Sequence, residues 1–387
     1  MSDKIKIIIV DDSSFMRNVL ARLVEKDGRF DVVGKAKDGA EGVEMVKSLQ
    51  PDVVTMDIEM PVMTGIEALK IIMKERPTPV VMVSALTKEG ALATLEAMDH
   101  GAVDFIPKNM GDGAASVLTN SKFLMDKIYG ASQARLVHLS AKPAVTKAPE
   151  RKPISHSVDR LTARSTDTQK VSQQRVAEKA IIAEPTRSLR RPIGRIGLPS
   201  AKVMVIGSST GGPRALQDVI PKLPATIKVP VVVAQHMPHH FTGQMADRLN
   251  SISKLHVVEG KDGDILQAGT VYISPGGIHT RVKSQGSSLV LSIKEDTGKE
   301  CVYRPSVDLL ANSVAEQVGG SVLALMMTGM GSDGAKGFGN LKDKGGYILA
   351  QDELSSVVYG MPKAVASIAD EVLPLDSMVA AIIRLVG

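Results

Sequence analysis

Residues 4–17 read KIKIIIVDDSSFMR. The β-branched run at 4–10 is long enough for a strand buried on both faces. It ends on two carboxylates, Asp11 and Asp12. Ser13 or Ser14 can then cap a helix that carries Phe15, Val19, Leu20, Leu23 and Val24 at helical spacing. The same alternation continues outward. A short strand at 32–33 precedes a helix at 38–49, and a strand at 53–56 precedes a helix at 65–74. A strand at 80–83 and a helix at 90–98 follow, then a strand at 105–106 and a last helix over about 114–137. Five strands alternating with five helices predict a doubly wound parallel sheet over residues 1–138.

In such a sheet, ligands bind at the carboxyl edge of the strands. Asp11 and Asp12 follow the first strand, Asp57 the third, Ser84 the fourth and Lys108 the fifth. Taken singly, the aspartate pair could cap a helix and Lys108 could be surface charge. The whole set at strand ends argues instead for one site. Crowded carboxylates repel unless a divalent cation sits among them, and all-oxygen ligation suits Mg²⁺. One carboxylate can then accept a phosphoryl group, with metal and lysine offsetting the charge.

The segment resembles the response-regulator receiver domain through IIIVDDSSFMR (7–17), DVVTMDIEMPVMTGIEAL (52–69), VVMVSA (80–85) and GAVDFIPK (101–108). The resemblance implies phosphorylation of Asp57 by a histidine kinase, with Mg²⁺ held by Asp11, Asp12, Asp57 and the backbone carbonyl of Glu59. It implies Ser84 and Phe105 as the switch pair and Lys108 as the phosphoryl contact. One departure is visible: such domains usually carry proline directly after the lysine, whereas here Pro107 precedes it and Asn109 follows.

A second strand-to-helix transition lies at 203–216, VMVIGSSTGGPRAL. Pro213 suits the first turn of the helix. The glycine-rich turn is neither GxGxxG, nor a P-loop, nor GxSxG. It leaves two readings open: a phosphate cradle on helix amides, or a serine nucleophile beside an oxyanion site. Its neighbours favour the second. An apolar strand at 229–234 runs into Gln235-His236-Met237-Pro238, and one at 322–327 runs into Thr328-Gly329-Met330-Gly331-Ser332-Asp333. A serine, a histidine and an aspartate thus each follow a parallel strand on one sheet edge, as a hydrolytic triad requires. Ser208 rivals Ser209, and spacing does not separate them. His236, His239 and His240 could alternatively gather a metal, although the last two follow a proline in what reads as a loop. Asp333 between glycines could be a turn residue, and ALMMTGM core packing.

These motifs resemble the catalytic domain of the chemotaxis protein-glutamate methylesterase (CheB) family, through 203–216 with VVVAQHMPHHFTGQMADRL (231–249), AGTVYISPGGIH (268–279), YRPSVDLL (303–310), MMTGMGSDGAKGFGNLKDKGG (326–346) and SVVYGMPKAV (356–365). The resemblance implies Ser209 as nucleophile, His236 as base and Asp333 as orienting acid, with Thr210 and the Met330 amide positioning the triad or forming the oxyanion hole. Tyr303, Arg304, Ser306 and Asp308 would line the substrate cleft. A doubly wound, mainly parallel α/β methylesterase domain over 200–387 follows, needing no cofactor of its own. The implied reaction is hydrolysis of glutamate γ-methyl esters, and deamidation of particular glutamines, on methyl-accepting chemotaxis receptors. A receiver tethered in cis would cover the cleft until Asp57 is phosphorylated.

Composition bounds the alternatives. The 387 residues carry a net charge of +5, yet the segment 139–199 alone holds 13 Lys/Arg against 5 Asp/Glu. The basicity therefore belongs to a polar segment without aromatic residues, which reads as a flexible linker. A nucleic-acid regulator would need a helix-turn-helix, RRM or zinc pattern, or stacking aromatics, and aromatics are 3% of the chain. A non-catalytic output module binding a phosphorylated ligand would not need the serine, histidine and aspartate together. No run of 18 apolar residues spans a membrane, and the acidic pair after a short apolar run is unlike a signal peptide. With Cys301 as the one cysteine, a reducing cytoplasm is expected.

Overall fold

The structure, a computed structural model, describes residues 4–85, 87–108, 121–136, 201–294 and 303–387. The linker 139–199, Asn109 and Cys301 lie outside the described residues. The described parts of 1–141 and 197–387 belong to one compact unit.

The first layer system is built from β1 (Ile5–Val10), α1 (Ser14–Lys26), β2 (Phe30–Ala36), α2 (Gly39–Leu49), β3 (Val53–Asp57), α3 (Gly65–Glu75), β4 (Val80–Ser84), α4 (Lys88–Asp99), β5 (Asp104–Pro107) and α5 (Ser121–Ser132). The strands pair in parallel in the order β2-β1-β3-β4-β5. Local chemistry sets the helix starts: the Ser13 side chain caps α1, and Thr64 with Glu67 forms a capping box on α3. β3 and β4 are fully buried, as expected of strands covered on both faces.

The second comprises β6 (Val203–Ser208), α6 (Gly212–Val219), β7 (Val231–Gln235), α7 (His239–Ile252), β8 (His256–Glu259), β9 (Thr270–Ile273), β10 (His279–Gln285), β11 (Ser288–Lys294), α8 (Val307–Val318), β12 (Val322–Met326), α9 (Ala335–Asp343), β13 (Tyr347–Gln351), α10 (Met361–Val365), β14 (Glu371–Leu373) and α11 (Leu375–Val386). Seven strands form a parallel sheet in the order β14-β13-β12-β6-β7-β9-β8, and β10 with β11 makes a separate antiparallel hairpin. Both halves are doubly wound α/β layers, as the periodicity predicts. The chain lays down β6, then β7, and returns to place β12 on the other side of β6. The order reverses at β6, so the carboxyl ends of β12, β6 and β7 open the crevice where a site is expected.

Two local readings change. β6 extends into the glycine-rich turn as far as Ser208, because its ladder with β7 continues to the Ser208–Gln235 pair. His239 and His240 open α7 instead of sitting in a loop, since Pro238 serves as its N-cap and cannot continue the strand.

Candidate functional site

At the carboxyl edge of the first sheet, Asp11, Asp12 and Asp57 offer carboxylate oxygens all within 4.8 Å of one another. Lys108 Nζ lies 2.5 Å from Asp57 Oδ2 and 3.5 Å from Asp11 Oδ2. Burial pushes the Asp57 carboxyl up to about 6; Lys108 opposes the shift and the neighbouring aspartates add to it. Burial likewise raises Asp11. Asp11 Oδ1 accepts from the Ser13 amide at 2.8 Å, whereas the buried Oδ2 accepts no hydrogen bond. An under-satisfied buried carboxylate oxygen among three acids fits a hard divalent cation such as Mg²⁺. Glu59 and Asp12 line an adjacent open cleft of about 560 Å³. Ser84 does not face this cluster through its hydrogen bond: its hydroxyl donates to the Gly90 carbonyl at 3.0 Å. The Phe105 ring is buried and lies 4.4 Å, centroid to centroid, from Phe241 of α7.

At the edge of the second sheet, the two serines part company. Ser208 is the last residue of β6, wholly buried, and its hydroxyl donates to Gln235 Oε1 at 2.7 Å. Ser209 is the first residue beyond the strand. The His236 ring lies against Asp333, with Nε2 2.7 Å from Oδ2. Asp333 is in turn gripped by the first turn of α8: Ser306 Oγ donates to Oδ1 at 3.0 Å, the Val307 amide to Oδ2 at 2.7 Å and the Asp308 amide to Oδ1 at 3.1 Å. A helix N-terminus favours an anion at this position. Burial alone would raise the Asp333 carboxyl, but His236 and those amides together hold it below the usual carboxylate range. Tyr303 stacks on the His236 imidazole, centroids 4.5 Å apart and planes within 6°. His236 Nδ1 is buried without a hydrogen-bond partner, so no bond joins it to Ser209.

The other expected residues are placed as follows. Thr210 is buried, its hydroxyl donating to Asp104 Oδ2 of β5 at 2.6 Å. The Met330 side chain packs against Gly130 of α5. Asp308 accepts from the Gly337 amide at 2.7 Å, and the Arg304 carbonyl from the Gly277 amide at 3.3 Å. Ser306 and Asp308 therefore bond to Asp333 and its surroundings, while Tyr303 borders the remaining gap. That gap, about 10 Å³, is closed between Ser209, Thr210, Tyr303 and Met330 on one side and Phe123, Asp126 and Lys127 of α5 on the other. It has room for about one water.

The first domain thus lies directly over the second domain's site. Besides the Thr210–Asp104 bond, Arg248 pairs with Asp99, Arg135 Nη2 with Glu353 at 2.6 Å, and Arg214 donates to the Asp99 carbonyl at 3.1 Å. Lys127 Nζ meets Asp104 Oδ1 at 2.6 Å and the Phe105 carbonyl at 3.2 Å. Gln235, Asp104 and Lys127 are functional neighbours that no motif in the sequence singles out. The signal of Gln235 and Asp104 is a polar side chain at one end of an apolar strand, and that of Lys127 a charge on the buried face of a helix; each becomes informative only once its partner is known.

A family model for CheB methylesterase matches residues 204–382, and one for the response regulator receiver domain matches residues 7–116. A protein-glutamate methylesterase/protein-glutamine glutaminase of Idiomarina loihiensis is 41% identical, the match covering 99% of this chain and 98% of the relative. The chain belongs to the protein-glutamate methylesterase/protein-glutamine glutaminase family. A Geobacter sulfurreducens methylesterase/glutaminase is 43% identical over 99% of this chain and 98% of its own. The crystal structure of the Thermotoga maritima CheB methylesterase catalytic domain is 43% identical, with 48% of this chain and all of that one covered at a TM-score of 0.47. Within this methylesterase-family chain, Ser209, His236 and Asp333 fall inside the methylesterase match, and Asp11, Asp12, Asp57 and Lys108 inside the receiver match.

Proposed function

We propose that this chain hydrolyses glutamate γ-methyl esters on chemoreceptors and deamidates specific receptor glutamines, with Ser209 as nucleophile, His236 as base and Asp333 as the group that orients the imidazole. The observation that carries the reading is the 2.7 Å bond between His236 Nε2 and an Asp333 carboxylate held ionised by a helix N-terminus. An ionised Asp333 keeps the proton on Nε2, which leaves Nδ1 with the lone pair. Nδ1 has no other partner. A 1–138 receiver, a 139–199 linker and a 200–387 catalytic domain complete the proposed organisation.

In the first half-reaction, Ser209 Oγ bonds to the carbonyl carbon of the γ-ester and its proton passes to His236. The carbonyl π pair moves to oxygen, where Thr210 and the Met330 amide stabilise it. Collapse breaks the bond to the methoxy oxygen, which takes the proton from His236 and leaves as methanol. Water then repeats the sequence on the acyl-serine, restoring Ser209 and releasing glutamate. For a glutamine the leaving group is ammonia. Asp333 stabilises the imidazolium that forms at each step.

The closed gap supports a receiver-inhibited resting state. Phe105, in the sheet whose edge carries the aspartate cluster, packs on Phe241, and its neighbour Asp104 binds Thr210. Phosphorylation of Asp57 by the chemotaxis histidine kinase, drawing Ser84 and Phe105 toward the phosphoryl group, withdraws both contacts and opens the site. Asp11, Asp12, Asp57 and the Glu59 carbonyl would hold Mg²⁺, which when bound supplies charge neutralisation for phosphoryl transfer. No described helix is long and apolar enough to cross a membrane, and a cytoplasmic location matches receptor helices as substrate. Ser209→Ala in the full-length chain should abolish methanol release from methylated receptor without shifting the unfolding midpoint. Release near the wild-type rate would refute the assignment.

A further inference from the structure

Gln235 ends β7 with a side chain 1% exposed, in register with Ser208 at the end of β6. Both ends of its carboxamide are engaged. Oε1 accepts from Ser208 Oγ at 2.7 Å, while Nε2 donates to the Ser209 carbonyl at 2.9 Å and to the His236 carbonyl at 3.1 Å. The amide orientation follows from its partners, since two carbonyls can only accept and must face the NH₂ end. One buried group therefore ties together the backbones of the two residues whose side chains must exchange a proton. The surrounding loop is shaped to admit it. A Cβ on Gly212 would overlap Gln235 Oε1 and crowd the Ser208 side chain, so this position of the turn is glycine to leave room for the amide. The β6–β7 ladder itself runs out here with the His236 amide donating to the Ser208 carbonyl at 3.1 Å. Beyond that bond, the Gln235 side chain continues the tie where backbone pairing has ended.

We infer that Gln235 is a positioning residue for the Ser209–His236 pair, fixing the spacing of nucleophile and base through their carbonyls, with Ser208 orienting its amide. The inference rests on the nucleophile and base assigned above. It also gives Ser208 a role other than nucleophile: its hydroxyl proton is committed to Gln235.

The test uses the full-length chain, activated with a small-molecule phosphodonor, on methylated receptor membranes. Gln235→Met keeps the length and bulk of the side chain but donates to neither carbonyl. A displacement on the order of 1 Å between reacting groups costs about 10²-fold, so kcat should fall by roughly that factor with KM unchanged. Labelling of Ser209 by a fluorophosphonate should slow in parallel. The inflection of the kcat/KM–pH profile should stay in place, because the His236–Asp333 pair is untouched. Ser208→Ala should lower kcat less, and Ser208→Ala/Gln235→Met should be no worse than Gln235→Met alone, as expected of two groups acting as one. Should Gln235→Met not fold, Ser208→Ala decides, and wild-type kcat there overturns the inference. Ser209→Ala run alongside separates the two claims. An inactive Ser209→Ala with a fully active Gln235→Met removes the positioning role alone; an active Ser209→Ala removes the nucleophile and the positioning role with it.

Discussion

Truncating Phe123 to alanine should switch the resting enzyme partly on. This half-buried α5 side chain lines the gap over Ser209, its ring 6.3 Å from that of Tyr303 and tilted by 59°. Lys127 Nζ also sits 5.4 Å from the Phe123 ring. That contact is internal to the receiver and survives undocking, so it cancels; only what Phe123 gives to the docked state counts. Burying a phenylalanine completely is worth about 1.5–3 kcal/mol, of which a half-buried ring retains roughly half. The aromatic pair adds about 0.5–1 kcal/mol. The docked state should thus lose about 1.3–2.5 kcal/mol. At about 1.4 kcal/mol per tenfold, the open population rises by roughly 8- to 60-fold while it remains minor. Methanol release without phosphodonor should rise by the same factor, and because the fully open rate is unchanged, the fold-stimulation by phosphodonor should shrink to match. Unaltered resting activity in a folded Phe123→Ala chain, with full stimulation intact, would show that α5 does not govern access.

Two more outcomes follow from the geometry around His236. Tyr303→Phe keeps the ring stacked on the imidazole and should hold near wild-type kcat, whereas Tyr303→Ala loses the face that stabilises the imidazolium and should fall about 3- to 10-fold. Equal rates for the two variants would discount the stacking. Asp333 titrates below the usual carboxylate value in the folded chain. Its contribution to stability is therefore complete above the unfolded value and is lost as pH falls through the folded one. Asp333→Asn should accordingly show a shallower decline of the unfolding midpoint below about pH 4 than the parent chain. Parallel declines would mean that the carboxylate is not stabilised by its donors.

Much of this was legible before any coordinates. Alternating apolar runs and capped helices give both doubly wound layers, and the residues that follow each strand name both edges. An element's end is not legible where it depends on a distant partner. Ser208 and Ser209 are equivalent as letters; the ladder to Gln235 buries one and leaves the other beyond the strand. Met330 reads as ordinary core in ALMMTGM, yet its side chain packs on Gly130, 200 positions earlier in the chain.

Local chemistry is therefore what the sequence alone determined: β-branched runs that pair, serine and threonine caps that start helices, and the acids, serine and histidine left at strand ends. These depend on neighbours a few residues away. Tertiary structure alone decided that a helix N-terminus grips Asp333, that Asp104 reaches Thr210, and that α5 closes over Ser209. The first joins distant segments of one domain and the other two join surfaces from separate domains; their energy comes from shape and burial that no single stretch of chain encodes.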